Sequence, residues 1–328
     1  MLRLMPLRAL ALRCLALIGV VAAALPAAEI HIMMVQWRGE TEAEIGFREY
    51  LDRSGLKLRW TVFDCKLDPT RGATVPAEIA AAKPDLVYAF STNGALAVVG
   101  RHDAPTTIDP AIPVVFTVVG DPVGAGLVPT LTGHGRNLTG VSHLVPMKTQ
   151  LTVLSQVATF KKLGMIDVAK SVSARLIRQE LETLAKDHGY VLSAATVTPG
   201  GVPAEAMAAA ATELLAQKPD AVYLPSDGFL IANAAAAIAP LTAAGIPVFS
   251  ATEQPVRKSG ALLGVVASYR AVGRFAGAKA ERILRGAKPG EVPIEPLPSW
   301  QVVYNAKVAR QVNVYPPVGL LKLAEAVE

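Results

Sequence analysis

Lys83-Pro84-Asp85-Leu86-Val87-Tyr88-Ala89-Phe90-Ser91 is echoed by Lys218-Pro219-Asp220-Ala221-Val222-Tyr223-Leu224-Pro225-Ser226. Ile112-Pro113-Val114-Val115-Phe116-Thr117 follows the first copy, and Ile246-Pro247-Val248-Phe249-Ser250 follows the second. Each copy reads as a buried strand, a polar turn, a helix and a second strand opened by proline. An echo of such long period points to two similarly built lobes rather than a short-repeat array. Two lobes joined by a hinge enclose a cleft, a usual place for a small ligand.

The segments around the echo fit the same plan. Strands are expected at His31–Val35, Leu58–Phe63, Asp85–Phe90 and Pro113–Val119, alternating with helices that carry Ile45, Phe47 and Leu51, then Pro76–Ala82 and Ala95–Val99. The second half repeats the alternation, with strands at Leu163–Ile166, Tyr190–Val197, Ala221–Leu224 and Pro247–Ser250. Strands alternating with helices predict an α/β fold of two doubly wound parallel-sheet lobes. Beyond Gly260 the reading is a strand at Ala261–Ala267, a helix through Phe275 and Ile283, and a proline-marked connector from Pro289 to Pro298. The expected division is 29–141 plus 259–289 for lobe one and 142–258 plus 290–328 for lobe two. The chain would cross near 142, 259 and 290.

Residues 1–28 are a different object. Arg3, Arg8 and Arg13 precede an apolar run from Leu15 to Leu25, then Pro26-Ala27-Ala28. A basic start, a short apolar stretch and small residues predict a secretory signal peptide cut between Ala24 and Glu29, and hence a periplasmic location. The net charge of +5 falls to +2 once those three arginines are removed, so nucleic acid is not an expected partner. Hydrophobic residues make up 52% of the chain and aromatics only 5%, which suits strands buried on both faces. Cleavage would leave Cys65 as the lone cysteine, expected to be a small buried side chain and not a disulfide partner.

In open parallel sheets, ligands bind beyond the carboxyl ends of the strands. Residues just past those ends give the candidate site: Trp37, Ser91, Thr92, Asn93, Asp121, Ser268 and Tyr269 from lobe one, and Asp167, Ser226, Asp227, Thr252 and Glu253 from lobe two. This mixture of hydroxyls, carboxylates and aromatics suits a small polar or zwitterionic ligand. Ser91-Thr92-Asn93 opens a helix whose first N–H groups are free to hold a carboxylate, although Ser, Thr and Asn are also ordinary N-cap residues. Asp121 and Asp227 are placed to accept from an ammonium group.

Catalytic and cofactor signals are poor. The five histidines show no metal-ligand spacing. Gly133-His134-Gly135-Arg136-Asn137-Leu138 lacks the third glycine of a dinucleotide fingerprint, and no nucleophile elbow or phosphate loop is present. No cofactor, metal or catalytic residue is expected.

The run IPVVFTVVGDPVGAGLVPTLTGHGRNLTGVS at 112–142 resembles the periplasmic substrate-binding proteins of ABC transporters, in the group of tryptophan/tyrosine-binding components. PDLVYAFSTNGALA at 84–97, PDAVYLPSD at 219–227, IPVFS at 246–250 and Asn305-Ala306 extend the resemblance over essentially the whole chain past the leader. It implies a type I periplasmic-binding fold, with Ser91-Thr92 holding a ligand carboxylate, Asp121 at the cleft and Asp227 meeting an ammonium. The chain departs from the family at Asn93-Gly94, where Pro-Ala is usual. It departs again at Gly228, where Asn is usual, and at Ser268, where Asp is usual. The expected activity is capture of a small molecule by a monomer and its delivery to a membrane permease. A ligand-sensing partner of a membrane receptor, and an enzyme on the same fold, are the alternatives.

Overall fold

The computed structural model describes residues 29–328. The expected leader and its cleavage point lie outside the described residues. The first lobe runs β1 (Ile30–Gln36), α1 (Glu42–Leu51), β2 (Leu58–Asp64), α2 (Pro69–Ala82), β3 (Leu86–Phe90), α3 (Ser91–Val99), β4 (Val114–Val119) and β5 (Leu138–Ser142). The second holds α4 (Met147–Val157), β6 (Lys162–Val168), α5 (Val172–His188), β7 (Val191–Val197), α6 (Pro203–Ala216), β8 (Ala221–Leu224), α7 (Gly228–Ala243), β9 (Val248–Ser250), α8 (Glu253–Lys258) and β10 (Leu263–Val266). The chain then returns to the first lobe for α9 (Tyr269–Leu284) and β11 (Glu295–Pro296). It ends in the second with β12 (Gln301–Asn305), α10 (Ala306–Val312), α11 (Val318–Leu321) and β13 (Ala324–Val327).

The sheets are ordered β11-β5-β4-β3-β1-β2 and β13-β12-β10-β9-β8-β6-β7. All pairings are parallel except β10 with β12. The cores of the two sheets share one plan: β2-β1-β3-β4-β5 in the first lobe matches β7-β6-β8-β9-β10 in the second. Each sheet reverses its winding between its first and third strands, β1/β3 and β6/β8, and such switch points are where ligands sit.

The Lys-Pro-Asp echo does the same mechanical work in both lobes. Lys83 ends α2 in the left-handed conformation (φ 47°), and Lys218 adopts the same region after α6 (φ 54°). Proline then stops any helical continuation. Each aspartate tethers the neighbouring strand: Asp85 accepts from the His31 N–H at 2.7 Å, and Asp220 accepts from the N–H groups of Lys161 and Lys162 at 2.8 Å. Tyr88 and Tyr223 occupy matching positions and are both wholly buried. Tyr88 donates to the Glu44 carboxylate (3.2 Å), whereas Tyr223 donates to the neutral Gln150 amide (2.8 Å).

The expected crossings at 259 and 290 are corrected. β10 pairs with β9 and β12, so 259–266 belong to the second sheet and the chain crosses only just before α9. β11 pairs with β5, so the connector stays with the first lobe until about residue 297. Lys279 helps hold it there: its buried ammonium donates to the Glu295 carboxylate and the Pro293 carbonyl, both at 2.7 Å. α9 packs against α1 so closely that a Cβ on Gly46 would lie 2.1 Å from the Arg270 carbonyl oxygen, and one on Gly273 would lie 2.0 Å from that of Ala43. Periodicity alone cannot say which lobe takes a strand that sits between two crossings.

Candidate functional site

Both switch points open onto one cavity of about 350 Å³ between the lobes. That volume lies within the range of small-ligand pockets, about 300–1,000 Å³. Of the candidates from the sequence, Trp37, Ser91, Thr92, Asn93, Asp121, Ser226 and Tyr269 line it. Three local features of the first lobe aim them there. Ser91 opens α3 at φ 71°, a strained conformation for a residue with a Cβ. Phe90 is the N-cap of α3 and supplies no side-chain bond, and the Ser91 hydroxyl reaches only the Gly94 N–H, at 3.4 Å. β4 breaks register between Thr117 and Val119, with Val118 at φ 59°, and this bulge turns Val118, Gly120 and Asp121 toward the cavity.

The other candidates serve the scaffold. Asp227 is buried and caps α7, accepting from the N–H groups of Phe229 (2.8 Å) and Leu230 (3.1 Å) and from the Ser171 hydroxyl (2.7 Å). It borders a separate cavity of about 310 Å³ on the other side of Trp37. Asp167 accepts from the Val168 N–H and pairs with Arg178 at 3.1 Å. Glu253 pairs with Arg257 at 3.1 Å and accepts from the Tyr269 N–H at 3.1 Å. Ser268 caps α9, and Thr252 is buried at the start of α8. A strand-end position puts a side chain near the cleft, but a helix that starts there competes for its oxygens.

Several lining residues were missed. Arg38 sits beside Trp37 after β1, and its guanidinium lies over the Phe90 ring, 5.5 Å from the centroid. His143 comes from the first crossing segment. Ser173, Ile177 and Glu180 recur at helical spacing on α5. That last pattern was readable: an acid at i+7 on an otherwise cleft-facing stripe. Gly228 has a spatial reason to lack a side chain, since a Cβ there would come within 3.3 Å of both Leu67 and Trp37 across the cleft.

The lining carries two polar groups of opposite sign. Arg38 and the α3 terminus are electropositive. Asp121 and Glu180 are acidic, and Glu180 titrates above the usual carboxylate range because its carboxyl is desolvated and faces the Asp121 charge. His143 Nε2 and Ser226 Oγ lie 2.8 Å apart, an arrangement that elsewhere activates a nucleophile. Here burial holds the imidazole at a pKa of about 3, against the pull of a backbone hydrogen bond at Val119. So weak a base is poorly matched to proton abstraction. Cys65 is buried, with its thiol pushed up to about 11 chiefly by burial. Among the described residues there is no group of three or more potential metal ligands, and no helix long and apolar enough to cross a membrane.

Over 278 residues, covering 83% of this chain and 77% of the relative, the sequence is 27% identical to the tyrosine-binding protein of Clostridioides difficile (strain R20291). The fold is similar to that of an ABC domain from Streptococcus pneumonia crystallised with L-Trp, with a TM-score of 0.81 and 23% identity over 92% of this chain and 100% of that one. It is also similar to a ligand-free, open substrate binding protein with adhesive properties from Clostridium difficile, with a TM-score of 0.67 and 24% identity over 91% and 99%. Residues 31–328 match the family described as ABC transporter substrate binding protein, and the chain belongs to that family.

Proposed function

We propose that this protein captures a small zwitterion of the aromatic amino-acid kind between its lobes, outside the cytosol, and presents it to an ABC permease. The observation that carries the reading is an inter-lobe cavity that brings together a helix terminus without a carboxylate cap, a separate pair of carboxylates and an apolar wall. A ligand carboxylate would sit on the α3 N–H groups beside Ser91 and Thr92. Its ammonium would lie between Asp121 and Glu180 and relieve their mutual repulsion. Trp37, Leu176, Ile177 and Met147 would enclose the ring. The names of the tyrosine-binding relative and of the L-Trp complex support this ligand class. A micromolar ligand supplies about 8 kcal/mol. That free energy favours closure only by as much as the ligand prefers the closed form.

A thermal-shift and calorimetric screen over amino acids, short peptides, nucleosides and sugars tests the ligand class. L-tyrosine and L-tryptophan are the expected hits, and binding of sugars or nucleosides alone would refute the reading. X-ray scattering should show a smaller radius of gyration with the hit bound. Co-purification with a permease, and not with a receptor kinase, checks the transport role.

A further inference from the structure

We infer that Arg38 is the specificity-determining residue of the cleft: it reads a carboxylate on the cargo with one arm of its guanidinium and holds the opposite lobe with the other. This rests on the proposed reading only in placing the cargo in the 350 Å³ cavity. Arg38 Nη1 donates to Gln254 Oε1 at 2.8 Å, and Gln254 lies on α8 of the second lobe. Nη2 is buried and is paired with no carboxylate. The Tyr269 hydroxyl, on a residue only 4% exposed, lies beside the Arg38 guanidinium and the Ser226 hydroxyl. Both side chains gather on one ring: Arg38 lies over Phe90, and the Tyr269 ring meets Phe90 edge-on at 6.2 Å. Phe90 is also the N-cap of α3.

Arg38 and Tyr269 therefore meet at the cavity wall beside the start of α3. A planar anionic oxygen pair suits these two side chains, and a guanidinium fork matches a carboxylate where an ammonium would not. No acidic side chain among the described residues takes this place, since the nearest described partner of Arg38 is the neutral Gln254. The bond to Gln254 ties this cavity-lining side chain to the second lobe. Carboxylate recognition and lobe closure thus share one side chain.

Two matched probe pairs test this by calorimetry: L-tyrosine against tyramine, and phenylacetate against phenylacetamide. In each pair the carboxylate should bind about 10- to 100-fold more tightly. Arg38→Met should abolish that preference, and Arg38→Lys should restore part of it. Gln254→Ala should keep the preference but lessen the compaction that L-tyrosine produces in X-ray scattering. Circular dichroism confirms that each variant is folded, and the readout is a ratio of affinities that a purely structural role would not move. Equal binding within the pairs, or an unchanged ratio in Arg38→Met, overturns the inference. If phenylacetate shows the preference and L-tyrosine does not bind, the amino-acid reading fails while the role of Arg38 stands. If L-tyrosine binds wild type and Arg38→Met alike, the reverse holds. If neither carboxylate binds, both are refuted.

Discussion

The turn from β3 into α3 and the turn from β8 into α7 begin with the same sequence device and end in opposite ways. Both follow Lys-Pro-Asp and a strand bearing a buried tyrosine. In the first lobe the N-cap Phe90 makes no side-chain bond, and only the Ser91 hydroxyl accepts, from the Gly94 N–H at 3.4 Å. In the second, Asp227 fills the helix terminus with the chain's own carboxylate and is itself held by Ser171. One lobe fills its helix terminus with a buried carboxylate, and the other does not. The tyrosines differ in the same sense, since Tyr88 leans on a carboxylate and Tyr223 on an amide.

The largest expected effect comes from emptying the filled terminus. Asp227→Ala should destabilise the protein by about 2–4 kcal/mol, because it removes a cap and leaves buried N–H and hydroxyl groups unpaired. Denaturant melts check the size. The effect of Asp227→Ala on L-tyrosine affinity should be smaller than that of Arg38→Met, and the opposite ranking would break the contrast between the two turns.

A second test uses pH. Burial raises the Glu44 carboxyl from 4.5 to about 7, against the pull of its bonds with Thr41 and Tyr88. The folded chain therefore holds this proton more tightly than the unfolded chain. The group's contribution is fully present below about pH 4.5 and is lost as pH rises through about 7. The loss amounts to about 3 kcal/mol. Glu44→Gln keeps the capping box with Thr41. Its stability relative to wild type should rise by that amount across the window, and parallel pH profiles would refute the assignment. Gln150→Ala in the second lobe should lower stability equally at both ends of the window.

Asp85→Ala and Asp220→Ala probe what the lobes share. Each loses backbone acceptor bonds, one at Asp85 and two at Asp220. Losses of about 1 and about 1–2 kcal/mol are expected by thermal melts, with no change in ligand preference. The smallest effect should come from making the open turn resemble the filled one. Ser91→Asp supplies α3 with its own anion and should stabilise it by about 0.3–1 kcal/mol. L-tyrosine affinity should fall about tenfold in calorimetry, the equivalent of 1.4 kcal/mol. Unchanged affinity would place the cargo carboxylate elsewhere.

The sequence by itself determined the two-lobe plan, the parallel sheets and the strand ends that face the cleft. Lys-Pro-Asp, uninterrupted apolar strands and polar turns are local signals, read from neighbours along the chain. Trp37, Ser91, Asp121 and Tyr269 were legible for that reason. Tertiary structure alone decided that β10 joins the second sheet, that Asp227 is consumed by Ser171 from 56 positions away, and that Arg38 spans the cleft to Gln254, 216 positions distant. A side chain's position at a strand end follows from the backbone. Whether its polar atoms remain free depends on donors and acceptors that only folding brings into contact.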